Sequence, residues 1–152
     1  MKWPTATIGE VSTVVSGATP KTNNALYWDG DIPWVTPKDL SDLQKKHLQD
    51  TPRKITSEGL RSCSASMLPP QSVLFSSRAP IGLVAINTIP VATNQGFKSM
   101  VPRKEALNSD YLYWWLKTHQ AEVAQLGRGA TFKEVSKKIV EGIQIPLPPL
   151  PE

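Results

Sequence analysis

The sequence predicts an α+β fold, a loop-rich domain on a mostly antiparallel, twisted sheet with a few helices. Three observations carry this. Fourteen prolines are spread along the 152 residues. They alternate with short apolar runs of strand length bounded by turn-forming residues. Long stretches with apolar residues at the 3–4 spacing of a helix face occur only near the end of the chain. Parallel βαβ units would need more long helices than that.

Taken in order, Ile8, Val11, Val14 and Val15 suggest a short helix or turn leading into a strand that stops at Gly17. Residues 16–24 form a loop, because Ser, Gly, Thr, Pro and Asn favour turns over ladders. Tyr27-Trp28-Asp29-Gly30-Asp31 reads as a second turn and Ile32-Pro33-Trp34-Val35 as a strand. Pro33 cannot donate to a ladder, which places that strand on a sheet edge. Thr36-Pro37-Lys38-Asp39-Leu40 reads as a tight polar turn, and Thr56 can cap a short helix running through Leu60.

Two further strands, Ser72-Val73-Leu74-Phe75 and Ile89-Pro90-Val91-Ala92, each lead into a polar cluster. These clusters are Ser76-Ser77-Arg78-Ala79-Pro80-Ile81-Gly82 and Thr93-Asn94-Gln95-Gly96-Phe97-Lys98. The clearest helix starts at Ser109 and runs to about Leu126, with Leu112, Trp115, Leu116, Val123 and Leu126 on its buried face. Thr131 with Glu134 makes a capping box for a second helix. There Phe132, Val135 and Ile139 face inwards, and Glu134 pairs with Lys138. Ile143-Gln144-Ile145 returns as a strand. Residues 1–145 are thus read as one domain, and 146–152 as a stiff, Pro-rich connector.

Charge distribution says more than the net charge of +4. Residues 1–58 hold seven bases and seven acids, residues 59–104 five and none, and residues 105–152 five and six. An acid-free stretch of this kind favours a polyanion, and the alternative is a solvated basic face without a partner. Loops at strand ends that offer Arg, Lys, Asn, Gln and Ser can bond phosphate oxygens and base edges.

Catalytic chemistry is harder to assemble. His47 and His119 have no Cys or His at metal-ligand spacing, and His119 lies on the apolar helix face as a structural residue. Asp29 and Asp31 flank Gly30 and read as turn formers. Cys63 is the single cysteine, which excludes an internal disulfide or a CxxC site, fits a reducing cytosol, and reads as a small buried residue. No apolar run is long enough for a membrane span. Neither a metal nor a cofactor is expected.

Several clusters, in order, resemble one family. They are Ile8-Gly9-Glu10-Val11, Ser16-Gly17-Ala18-Thr19-Pro20 and the run from Tyr27 through Leu40. Leu74 through Gly82, Ala92 through Lys98, Tyr111 through Leu116, Gly129 through Val135 and Ile145 through Pro149 continue the pattern. Together they resemble a target-recognition domain of the DNA-specificity (S) subunit of type I restriction–modification systems. The resemblance implies a target-recognition-domain-like fold that reads one half of a bipartite duplex target without catalysis of its own. Whole S subunits of this family carry two such domains joined by two long helices, which space the half-sites and dock methyltransferase (M) subunits. This chain is shorter: it holds one recognition domain and reaches Glu152 where a spacer helix would begin, so it reads as an excised domain or a half-subunit. The implied partners are double-stranded DNA, M and restriction (R) subunits, and a second recognition domain of the same or another S chain. The implied location is the cytoplasm.

On this reading the scaffold carries loops 19–24, 36–39, 76–80, 94–98 and 128–133 on one face. Lys21, Lys38, Lys98, Arg128 and Lys133 would contact phosphates; Thr22 and Ser77 belong to the same set of DNA-binding candidates. Arg78 and Gln95 suit bidentate reading of guanine and adenine edges, with Asn94 and Thr131 as further candidates. Arg78 could equally brace its turn, and Asn94-Gln95-Gly96 could be a turn held by its own amides. Of Trp28, Trp34, Trp114 and Trp115, Trp115 is assigned to the core, while stacking on exposed bases stays open for the others. Tyr111 and Trp114 share the other helix face. Two further functions stay open, a protein-interaction module docking methyltransferase subunits and an enzyme acting on nucleic acid.

Overall fold

The computed structural model describes residues 3–78, 80–126 and 135–148. Strand β1 (Thr5–Thr7) turns directly into α1 (Ile8–Val11) and β2 (Ser12–Ser16). One four-residue helix is marginal in isolation, so its ends must be satisfied locally. Thr7 does this as half of a capping box. Its hydroxyl accepts from the Glu10 N–H at 3.3 Å while the Glu10 carboxylate accepts from the Thr7 N–H at 2.8 Å.

A 3-10 turn (Ala25–Tyr27) leads into β3 (Trp28–Val35). The turn expected over residues 27–31 is absorbed into this strand as an irregularity, for the register jumps so that Trp28 and Ile32 both face Ile55. Asp29 takes up the distortion at φ 63°. Nor is β3 an edge strand, since it lies between β5 (Lys54–Ile55) and β8 (Ala92–Thr93). Proline is tolerated because neighbouring amides alternate in direction. The Trp34 N–H points to Arg53 on the β5 side, so Pro33 faces the other side, where β8 pairs only Trp34 and Val35.

The expected turn at Thr36 to Leu40 is instead the cap and start of a helix: α2 (Pro37–Asp42) has Pro37 in its first turn, and Asp39 accepts from the N–H of the capping Thr36 at 2.8 Å. Strand β4 (His47–Leu48) follows, and α3 (Ser57–Arg61) is capped by Thr56 as expected, with Gly59 N–H donating to its hydroxyl at 3.0 Å. Cys63, expected to be buried, is only partly so.

The main sheet has the order β2–β9–β6–β7–β4, with β6 spanning Val73–Ser77, β7 Ile81–Asn87 and β9 Lys98–Pro102. Its pairs are antiparallel except β4 with β7. Both faces are covered. Val14, Val73, Phe75, Ile86 and Met100 face one core, with Leu112, Leu116, Val123, Val140 and Ile145. Leu74 and Ala85, on the opposite pleat, face a second core with Val35, Leu40, Leu48, Leu68, Val91 and Phe97. A third, small core joins Trp34, Ile55 and Ala92. Of the run 89–92 only Ala92 is in a strand, while Val91 bridges to Leu68.

The long helix begins as α4 (Ser109–Thr118), capped by Asn108 rather than Ser109, and breaks at His119 before α5 (Gln120–Gln125). At the break the Thr118 hydroxyl and the His119 ring both reach the Trp115 carbonyl, and the His119 ring stacks on Trp115 at 4.0 Å. His119 is therefore structural, as its position on the helix predicts. Leu112, Leu116 and Val123 are buried, Trp115 is partly so, and Leu126 is exposed.

Helix α6 (Lys137–Glu141) is capped by Ser136. That start shifts its phase, so Val140 enters the core and Ile139 stands out. Thr131, Phe132 and Glu134 lie outside the described residues. Strand β10 (Gln144–Pro146) pairs antiparallel with β1, and the Tyr111 hydroxyl fixes it by donating to the Pro146 carbonyl at 2.6 Å.

Candidate nucleic-acid interface

Four of the five expected loops meet at one end of the main sheet. The Ala18 N–H donates to the Thr93 carbonyl and the Asn94 N–H to the Val35 carbonyl, both at 3.0 Å. The Ser77 N–H donates to the Gly96 carbonyl at 2.9 Å. Thr19 donates through its hydroxyl to the Gln95 side-chain oxygen. A Cβ on Gly96 would sit 3.1 Å from the Pro37 ring, which brings the start of α2 against the same turn. Gly17 is required at this crossing, since a Cβ there would strike the Thr93 and Asn94 carbonyls. The Val135 N–H donates to the Ser77 carbonyl at 2.8 Å, which ties the start of residues 135–148 to the same cluster.

The surface so formed presents Lys21, Thr22, Lys38 and Gln95 as exposed side chains, with Arg78 and Asn94 half-exposed. Asn94 spends its side-chain oxygen on the Gly96 N–H at 2.8 Å, the turn-bracing role weighed for it. Lys38 pairs with Asp42 at 2.8 Å, and that carboxylate holds its ammonium above the ordinary lysine pKa. Ser77 is fully buried and Lys98 only 9% exposed, with the Lys98 ammonium 3.4 Å from the Ser77 hydroxyl. Arg128, Thr131 and Lys133 lie outside the described residues.

The family of the type I restriction modification DNA specificity domain matches residues 1–152. The chain belongs to that family. It is 38% identical to the type I restriction enzyme MjaIX specificity subunit of Methanocaldococcus jannaschii over 96% of this chain and 34% of the relative. Against the EcoR124I/EcoR124II specificity subunit of Escherichia coli the identity is 26%, covering 96% and 37%. The crystal structure of the HsdS subunit from Thermoanaerobacter tengcongensis superposes with a TM-score of 0.71 at 27% identity, covering 97% of this chain and 34% of that one. The chain thus spans about a third of the length of these relatives.

In this specificity domain the acid-free window is not one surface. Its bases separate along β9, whose five residues span about 13 Å. Lys98 begins the strand at the loop cluster, whereas Arg103 and Lys104 follow its far end, where the Arg103 guanidinium donates to the Glu10 carbonyl. What the domain does gather at the loops is a mixed group from distant parts of the chain.

One member has no motif around it. Arg53 is exposed, and its guanidinium lies 4.3 Å from the Trp28 ring centre and 5.0 Å from that of Trp34. The two rings meet edge to face at 5.0 Å. Their indole N–H groups hold the loop beyond, Trp28 donating to the Lys21 carbonyl at 3.0 Å and Trp34 to the Ala18 carbonyl at 3.1 Å. Trp34 is 3% exposed, so it is a brace and not a stacking surface for a base. Only the pairing of β3 with β5 brings Arg53 here, which no linear signal announces.

Among the described residues, no group of three or more His, Cys, Asp or Glu is placed to hold a metal ion. Among the same residues, no helix is long and apolar enough to cross a membrane.

Proposed function

We propose that this domain binds double-stranded DNA sequence-specifically and reads one half of a bipartite target for a type I restriction–modification complex. The convergence of Ala18, Val35, Ser77 and residues 93–96 through backbone hydrogen bonds, with Pro37 close against Gly96, supports this reading. Phosphate contacts fix register and base-edge contacts specify, so a reader needs several rigidly related loops on one face. Lys21, Thr22 and Lys38 would meet phosphates; Arg78, Gln95 and Asn94 would face base edges, and Ser77 and Lys98 would hold their loops from beneath. Arg128, Thr131 and Lys133 would extend the same surface. The domain would act in the cytoplasm without catalysis, metal or cofactor, and M and R subunits and a second recognition domain would complete the assembly.

Selection from a random duplex pool, repeated at several salt concentrations, tests the reading. Enrichment of a short motif with affinity falling as salt rises is expected. Weak, salt-insensitive binding with no enriched motif would remove it.

A second reading, a docking module for methyltransferase subunits, draws on a groove between Leu43, Lys45, Lys46, Leu83, Tyr113 and Trp114. Trp114 is 52% exposed there. Native mass spectrometry with M subunits separates the two: tight complexes in a chain that selects no DNA favour docking.

A further inference from the structure

We propose that Arg53 is a phosphate-contacting residue of this interface, aimed by Trp28 and Trp34, and that it grips the same DNA backbone as Lys21. The inference rests on the DNA-binding reading and extends it to a residue outside every recognised motif.

The first argument is charge. Arg53 makes no ion pair among the described residues, and the nearby Asp50 carboxylate is engaged with Lys54 at 2.9 Å. An exposed guanidinium without a counter-acid keeps its charge for an external anion. Geometry supplies the second argument. With aromatic rings against its face, a guanidinium still has its in-plane N–H donors, the edge that matches phosphate oxygens in pairs. Contact with two rings also limits the rotamers of a long side chain before binding, which lowers the entropy lost when the contact forms.

The third argument is coupling. The rings that hold Arg53 also hold the loop bearing Lys21, through the two indole N–H bonds to Ala18 and Lys21. Trp28 therefore touches both cations' supports at once: the Arg53 guanidinium at 4.3 Å and the Lys21 carbonyl at 3.0 Å. One rigid unit sets the spacing between two positive charges, as register along a phosphate backbone requires.

The experiment compares wild-type, Arg53→Gln, Arg53→Lys and Trp28→Leu chains on the motif selected by wild type, with affinity followed against salt. In Arg53→Gln the slope of log affinity against log salt should shrink by about 0.9, with motif preference unchanged. Arg53→Lys should restore the slope, and Trp28→Leu should lose about twice as much by releasing Lys21 too. A purely structural Arg53 would lower thermal stability and leave the slope intact, which overturns the inference. So does an altered motif preference in Arg53→Gln, because it would put the guanidinium at a base edge. If wild type itself selects no motif, the DNA-binding reading fails and the inference falls with it. If wild type selects one and Arg53→Gln keeps the full slope, the inference alone fails.

Discussion

Lys98 lies beneath Ser77, its ammonium 3.4 Å from the serine hydroxyl, and both side chains are shielded from solvent. Deleting one partner of a buried hydrogen bond leaves the other polar group, here the Ser77 hydroxyl, without its donor. Lys98→Met should therefore destabilise the domain by about 2 kcal/mol in urea unfolding. The salt slope of DNA binding should stay as in wild type. A reduced slope at unchanged stability would instead put Lys98 on a phosphate.

Gly17 marks the tightest crossing in the loop cluster. A methyl group there meets the Thr93 and Asn94 carbonyls, and backbone cannot move aside as a side chain can. Gly17→Ala should cost about 2 kcal/mol. Because the strain falls between two loops of the proposed interface, the surviving folded fraction should also select a weaker motif from a duplex pool.

Gln95 shares its side-chain oxygen with the Thr19 hydroxyl. Reading adenine needs that oxygen and the amide nitrogen together, in one fixed plane. Gln95→Ala should relax selection at a single base pair by about 1–3 kcal/mol. Thr19→Val leaves the amide in place but unanchored, and should blur the same base pair with little change in stability. Loss of selectivity at several positions in either variant would mean that Gln95 shapes the turn and touches no base.

Tyr111 offers a pH test. Burial pushes its phenol above the ordinary tyrosine pKa, and the hydroxyl donates to the Pro146 carbonyl at 2.6 Å. The unfolded phenol then ionises first as pH rises, so its contribution to stability is complete below the unfolded pKa of about 10 and is lost above it. Tyr111→Phe should remove that alkaline dependence and cost about 1 kcal/mol at neutral pH by urea unfolding. An unchanged alkaline stability profile in the variant would refute the assignment.

Much of the fold was legible where a local rule governs it. Thr56 as a cap, the α1–β2 entry, the β10 return and the buried stripe of Leu112, Leu116 and Val123 all follow from residues within one turn of each other. Strand β7 was missed because a sheet covered on both faces yields an unbroken apolar run, and Ile81 to Ile86 lacks the alternation that marks a half-buried strand. Strand β9 was missed for the opposite reason: it opens with Lys98 and Ser99, polar residues that are buried. Pro33 misled because its missing N–H is tolerated by a β8 too short to reach it, a tertiary fact.

The clustering of loops was legible in outline, since turn-forming segments at strand ends converge. Charge counting along the chain was less informative than its acid-free stretch suggests, because β9 carries Lys98 and Arg103 to opposite ends. Arg53 was invisible, since only strand pairing sets it on two indoles.

The clustered loops complete one another's backbone. The Ala18 amide needs Thr93, the Asn94 amide needs Val35 and the Ser77 amide needs Gly96. A transplanted segment of different length would leave at least one of these amides without its partner. Retargeting the domain by engineering therefore calls for exchanging the quartet as a unit, with single-segment grafts unfolding before they acquire a new preference.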